Sequence, residues 1–304
     1  MTGTKTRAKW IGGLLAGCLL LLAPEWAVQA AEDSPTPPAP INPWPNLVQQ
    51  ADALGLPTGC LKEIDPDFVK VEFEDLHTYA AEYHPEHHRM ILNLRLSFNK
   101  AGGALTDLEK MTHHDLSLLY HELLHAYLDF LFFGAGPDTL TPEAKRVLGL
   151  ANEQLRCQYR FIRINPIRQR REVTELRFLS KEDAWEVLNE TWGVFVGWAV
   201  WTKLELYRTP ESVGQWTAPL MDEWAQRLAS ANQSGELLGY YEPDDPEERK
   251  VARKRYVAPS HGITPEGAKL LLELILEEPQ ELVNRSGKVI ETTQNTSAEP
   301  LPCN

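Results

Sequence analysis

His121-Glu122-Leu123-Leu124-His125 sets two histidines four positions apart with a glutamate between them. On an α-helix this spacing leaves the imidazoles about 40° apart around the axis and roughly 6 Å apart along it, close enough to share one ion. Histidine offers neutral nitrogen ligands suited to Zn2+, and the adjacent carboxylate can take a proton from a water whose pKa an ion has lowered to about 7. The pattern points to hydrolytic chemistry.

The flanks predict a helix around the motif. Leu116, Leu119, Tyr120, Leu123, Tyr127 and Leu131 recur at helical spacing. His114, Leu118, His121, His125 and Asp129 fall within about 80° of one another on a different face. Thr112-His113-His114-Asp115 and Thr106-Asp107-Leu108-Glu109 both have the form of a capping box, and Gly134 is a natural stop. Polar ligands therefore project from an otherwise apolar element.

Outward from this helix, the chain divides by composition. Lys5, Arg7 and Lys9 precede an apolar run from Trp10 to Ala23, with Val28-Gln29-Ala30 at cleavage spacing, so residues 1–31 are expected to be a secretory signal peptide. Leu15-Ala16-Gly17-Cys18 also has the form of a lipobox, which would anchor Cys18 by a lipid, but the apolar run continues past the cysteine and favours ordinary cleavage. No later run is long enough to span a bilayer. Residues 32–46 are expected to be a proline-rich linker, residues 47–284 one catalytic domain and residues 285–304 a disordered tail, since little in that tail is apolar. A secreted or periplasmic location follows from the leader.

The net charge is −13. Residues 1–31 carry three Lys/Arg and one Glu, so the rest of the chain is more acidic still. Nucleic acid and anionic membrane are thereby disfavoured as main partners, and with no later spanning run stable membrane insertion is not expected. Cys60, Cys157 and Cys303 follow the leader, which allows at most one internal bridge among them.

Phe68 to Phe73 and Met90 to Phe98 alternate as strands of a small early antiparallel sheet. After the motif the pattern is helical. Thr141-Pro142-Glu143 opens a segment running towards Asn165-Pro166, Ser180-Lys181-Glu182-Asp183 opens a second, Pro219 to Ala231 is amphipathic, and Thr264-Pro265-Glu266 opens a last one ending near Pro279. The fold class is α+β, dominated by helices.

A catalytic zinc usually takes three protein ligands. Glu182, Glu186 and Glu190 lie at four-residue intervals on the helix starting near Ser180, and Glu190 enters its apolar part beside Gly193 and Gly197, which allow close packing on the first helix. Glu190 is the leading third ligand, with Glu186 its rival. His121-Glu122-Leu123-Leu124-His125-Ala126 with Asp129 four residues on, together with Asn189-Glu190 entering an apolar helix, resembles the gluzincin metallopeptidases, the thermolysin-like group in its wide sense. The resemblance implies a zincin-like domain, His121, His125 and Glu190 as metal ligands, Glu122 as general base and acid, and a peptide or protein substrate bound along an edge strand, here Met90–Phe98. Val194 stands where thermolysin-like members have an Asp that orients a zinc histidine, so that role is sought in Asp129 or Asp183.

The resemblance also implies a His or Tyr that stabilises the oxyanion. Tyr207, Tyr240, Tyr241, Tyr256 and His261 are the candidates, with His261 preferred. His84, Glu86, His87 and His88 form a dense polar turn, read as an exposed loop in preference to a second metal site. The expected function is zinc-dependent peptide hydrolysis. The alternatives are a metal-binding protein without the reaction and a zinc amidase acting on another amide, such as cell-wall peptide.

Overall fold

A computed structural model of the chain describes residues 42–98, 104–136, 138–164, 175–207 and 216–294. The expected signal peptide, with Cys18, lies outside the described residues, as do most of the linker and the end of the tail with Cys303. In chain order, α1 (Trp44–Ala53) and the short α2 (Gly59–Glu63) precede β1 (Lys70–Glu74), β2 (Ala81–His84) and β3 (Arg89–Asn93). Next come α3 (His113–Asp129), α4 (Pro142–Cys157), β4 (Phe161–Ile164), β5 (Glu175–Phe178) and α5 (Lys181–Leu206). The chain continues through α6 (Ala218–Ser234), β6 (Tyr240–Tyr241), α7 (Pro246–Val251), β7 (Arg255–Tyr256), α8 (Pro265–Leu270) and α9 (Gln280–Thr293). The class is mixed α+β, as the sequence predicts.

Local chemistry sets the two central helices. The Thr112 hydroxyl accepts from Asp115 N–H and the Asp115 carboxylate returns to Thr112, a complete capping box at the start of α3. The same helix runs on into a turn of π-helix, Phe130–Gly134, where any side chain on Gly134 would strike Phe68 and Phe130. Ser180 caps α5 by accepting from Asp183 N–H. Val187, Leu188, Trp192, Phe195 and Val196 are all buried, so α5 is apolar on most sides and sits at the centre of the helical layer. It packs on α3, α4, α6 and β6. Gln154 of α4 fastens this layer, accepting from Trp192 Nε1 at 3.0 Å and donating to the Thr264 hydroxyl at 2.9 Å.

The first sheet differs from expectation. Its order is β1-β3-β2, with β3 parallel to β1 and antiparallel to β2, so it is mixed rather than antiparallel. The stretch Met90–Phe98 is not an edge strand: β3 is central and ends at Asn93, whose side chain accepts from Arg95 N–H and turns Leu94–Leu96 into a 3-10 turn. The edge strand packed on α3 is β2. Likewise Thr106–Glu109 yields only a 3-10 turn, Leu108–Lys110, with no side-chain cap at Asp107.

Domain boundaries shift at both ends. Trp44, expected in the linker, is buried and begins α1, with Pro45 in the first turn, where its missing N–H costs nothing. Helix α9 crosses the expected tail boundary at residue 285, because Val283, Ser286, Gly287 and Ile290 form one buried stripe and Ser286 accepts from Trp224 Nε1 at 3.0 Å. Helix α4 stops at Cys157 rather than near Asn165, giving way to β4. Cys157 is disulfide-bonded and Cys60 is a buried free thiol.

Candidate metal centre

Helices α3 and α5 cross where Gly193 and Gly197 remove the side chains between them. A Cβ on Gly193 would lie 2.9 Å from His121 Cε1 and 3.0 Å from His125 Cε1, and one on Gly197 would lie 3.0 Å from the Ser117 carbonyl. Absence of both Cβ atoms lets α5 press against the imidazoles themselves.

One turn earlier on α5, Glu190 reaches between the two rings. His121 Nε2 lies 3.4 Å from Glu190 Oε2, and His125 Nε2 lies 3.5 Å from Glu190 Oε1. The rings stand perpendicular with centroids 4.6 Å apart. His121, Glu122 and His125 alone also make a compact set, their ligand atoms all within 4.8 Å of one another, with Glu122 Oε1 at 4.0 Å from His121 Nε2. The two carboxylates are distinguished by geometry. Atoms bound to one tetrahedral zinc at about 2.0–2.1 Å must sit about 3.3–3.5 Å apart. Each imidazole meets that figure with its own Glu190 oxygen, Oε2 for His121 and Oε1 for His125, whereas Glu122 Oε1 lies 4.0 Å from His121 Nε2 and Glu122 Oε2 is taken by Tyr83 N–H of β2 at 2.9 Å. Glu190 Oε2 is buried without a well-formed hydrogen bond, since 3.4 Å is long for an N–H donor. Two nitrogens and the two Glu190 oxygens thus converge as a donor set that could hold a metal ion such as zinc, with the Glu122 carboxylate beside it.

The electrostatics follow from crowding in a mostly buried site, where these four side chains are 11 to 16 % exposed. Burial raises the Glu190 carboxyl, but hydrogen bonds and charge from His121 and His125 outweigh it and hold the group well below the usual carboxylate range. Burial opposes charge on His125, yet Glu190, with help from Glu122 and Asn189, pushes the imidazole up to about 9. Burial raises Glu122 above its ordinary value, with the two imidazoles pulling the other way and Glu190 adding to the rise. For Glu186 burial dominates, and its carboxyl is pushed up to about 7.

Glu186 does not touch the imidazoles. Its Oε1 accepts from Glu242 N–H at 2.9 Å. Asp129 and Asp183 do not orient His121 or His125 either. Asp129 is buried and accepts from the Tyr83 hydroxyl at 2.5 Å and from His88 Nδ1 at 2.6 Å, while Asp183 stays at the cap of α5. The residue beside His125 is instead Asn189, whose amide donates to the Trp185 carbonyl and whose oxygen is left for the imidazole in a contact looser than an ordinary hydrogen bond. Its place one position before Glu190 was the available signal.

His261 is not brought to the centre. Its ring bonds Ser260 Oγ, Arg163 N–H and the Phe161 carbonyl, along β4. Of the tyrosine candidates, Tyr240 stands beside Glu190 and hydrogen-bonds it, and burial together with Glu190 pushes its ionisation well above the usual range. Gly239 makes this possible, because a Cβ there would fall 2.1 Å from Thr191 Oγ1 on α5. The Tyr240 ring is faced by Tyr256 across the β6–β7 pair and by Lys254 Nζ at 3.7 Å from its centroid. The turn expected to be an exposed loop, Pro85–His87, also borders the site, and His88, at a positive φ of 51°, turns inward to Asp129.

Two cavities flank the centre. One of about 340 Å³ lies beside His125 and Glu190, and one of about 360 Å³ lies beside His121 and is walled by Trp198 and Trp201. Among the described residues no helix is long and apolar enough to cross a membrane. Compared with protein-family models, curated proteins and solved structures, the chain matches none.

Proposed function

We propose that this protein is a zinc-dependent metallopeptidase of the gluzincin type, secreted or periplasmic by virtue of its leader. The observation that carries the reading is the convergence of both His121 and His125 on the Glu190 carboxylate at separations of 3.4 and 3.5 Å, with Glu122 Oε1 beside them at 4.0 Å from His121 Nε2. His121, His125 and Glu190 would hold the ion. Zinc, when bound, supplies a Lewis acid for the scissile carbonyl and lowers the pKa of water to about 7.

The chain's own groups do the rest. Glu122 is fixed by Tyr83 N–H and raised in pKa by burial, which suits a carboxylate that takes a proton from the attacking water and hands it to the leaving nitrogen. Tyr240, on the opposite wall, is the donor for the oxyanion that develops on the substrate. Strand β2 is the edge of its sheet and meets Glu122 through Tyr83, so an extended peptide adding to its free side runs past the base. Glu122 is held by Tyr83 N–H rather than serving as a fourth protein ligand, which separates this reading from a closed structural zinc site.

The test is hydrolysis of a mixed peptide pool. Zinc-loaded wild type is expected to cleave, chelator to abolish cleavage and added zinc to restore it. Glu122→Gln should keep its zinc and lose about 10²–10⁴-fold in rate, the usual worth of a positioned base. A zinc-loaded wild type that cleaves nothing, or a Glu122→Gln protein as fast as wild type, overturns the reading.

A further inference from the structure

The cavity beside His125 and Glu190 holds a feature that the proposed reaction does not use. Asp129 is 1 % exposed, and both of its hydrogen bonds, from Tyr83 and His88, fall on Oδ2. Its Oδ1 is buried with no partner, and Asp129 is one of the residues that line the cavity. A carboxylate oxygen taken out of water and left unpaired is costly, which points to a group that arrives from outside. Around it stand Glu86 and Glu186, and no Lys or Arg lines the space.

Its occupant is constrained by two observations. Among the described residues the only three His, Cys, Asp or Glu side chains close enough together to share a metal ion are His121, Glu122 and His125, so the carboxylates of this cavity are too dispersed for a second cation of that kind. Trp185 also lines the cavity, beside Tyr83, Pro85 and Asn189, and its ring is held edge-on to Phe132 with centroids 4.3 Å apart. An indole face beside dispersed carboxylates suits an organic cation, whose apolar stem lies on the ring while its head meets the acceptors. We infer that this cavity is a subsite for an ammonium or guanidinium group on the substrate, placed next to the bond cleaved at the neighbouring centre. The word substrate rests on the peptidase reading; the binding of the cation does not.

The experiment is calorimetric titration of the zinc-loaded full chain carrying Glu122→Gln, so that peptides survive. The probes are acetyl-Ala-Lys-Ala amide, its arginine and norleucine counterparts, and Ala-norleucine-Ala amide with a free amino terminus. The lysine and arginine probes are expected to bind at least about tenfold more tightly than acetylated norleucine at low salt, and this preference should shrink below about threefold in both Glu186→Gln and Asp129→Asn. Should Asp129→Asn fail to fold, Glu186→Gln decides alone. Preference for the free-amine norleucine probe would assign the cation to the substrate's own terminus and still support the subsite. Equal affinity for charged and uncharged probes, or a preference untouched by the carboxylate changes, overturns it. A clear preference in a protein whose wild type cleaves no peptide would sink the peptidase reading and leave the subsite standing.

Discussion

Replacing Gly193 by alanine tests how tightly the two helices define the centre. The added Cβ would lie 2.9 Å from His121 Cε1 and 3.0 Å from both His121 Nε2 and His125 Cε1, and these are its three nearest neighbours. Carbon contacts settle near about 3.5 Å, so each ring must retreat by roughly 0.5 Å. Ring tips at the ends of side chains can move that far cheaply, and alanine's better helix propensity, about 1 kcal/mol, offsets much of an overpacking cost of about 1–3 kcal/mol. Zinc tolerates ligand displacements of only about 0.2 Å. The expected outcome is a chelator-treated protein that melts within a few degrees of wild type and a zinc affinity at least about tenfold weaker, the order of loss seen when ligand orientation is disturbed. Gly197→Ala is the contrast, since its nearest neighbour is the backbone carbonyl of Ser117 at 3.0 Å. That variant should lose more folding stability and proportionally less metal affinity. Competition with a chromophoric chelator measures the affinity, and melting by circular dichroism measures the stability. Zinc binding by Gly193→Ala within threefold of wild type would refute the idea that α5 holds the imidazoles in place.

Two other outcomes follow from the same geometry. Tyr240→Phe removes one hydroxyl and should lower kcat by about 10²–10³-fold, the usual worth of an oxyanion donor, with zinc content unchanged; an unaltered kcat removes Tyr240 from the mechanism. In the metal-free protein His125 is pushed up to about 9 and Glu186 to about 7. Both lie above their unfolded values, so the stability they contribute is present at low pH and is lost as pH rises, through about 4.5–7 for Glu186 and about 6.5–9 for His125, the latter by no more than about 3 kcal/mol. Zinc needs the neutral imidazole, and its affinity should climb over that last window. Melting curves of chelated and zinc-loaded protein from pH 6 to 9.5 should therefore diverge, and parallel curves would contradict the assignment.

The sequence carried the centre better than its surroundings. Four-residue spacing, a capping box and a glycine pair are local signals, and they sufficed to place His121, Glu122, His125 and Glu190 together, because the glycine pair marks the face of α5 that can approach the imidazoles of α3. What it hid depends on long-range packing. Tyr240 reaches Glu190 because Gly239 lets β6 lie on Thr191, a contact between segments whose patterns are individually plain. His261 is drawn instead towards β4, a strand read as the end of a helix. Strand β3 alternates like an edge strand yet lies between β1 and β2, and alternation does not report position in a sheet. The part of α9 beyond residue 284 read as a tail because its buried stripe includes Ser286 and Gly287, small residues whose burial depends on Trp224 and Lys269.

The central claim is that α3 and α5 jointly hold one zinc ion, and its most direct measure is metal content. Wild type, Glu190→Ala and Glu186→Ala would each be saturated with zinc, dialysed and assayed by mass spectrometry. About one zinc per chain is expected in wild type and in Glu186→Ala, with a marked loss in Glu190→Ala. Full occupancy in Glu190→Ala together with a loss in Glu186→Ala would hand the third position to the wrong carboxylate, and full occupancy in both would contradict the account.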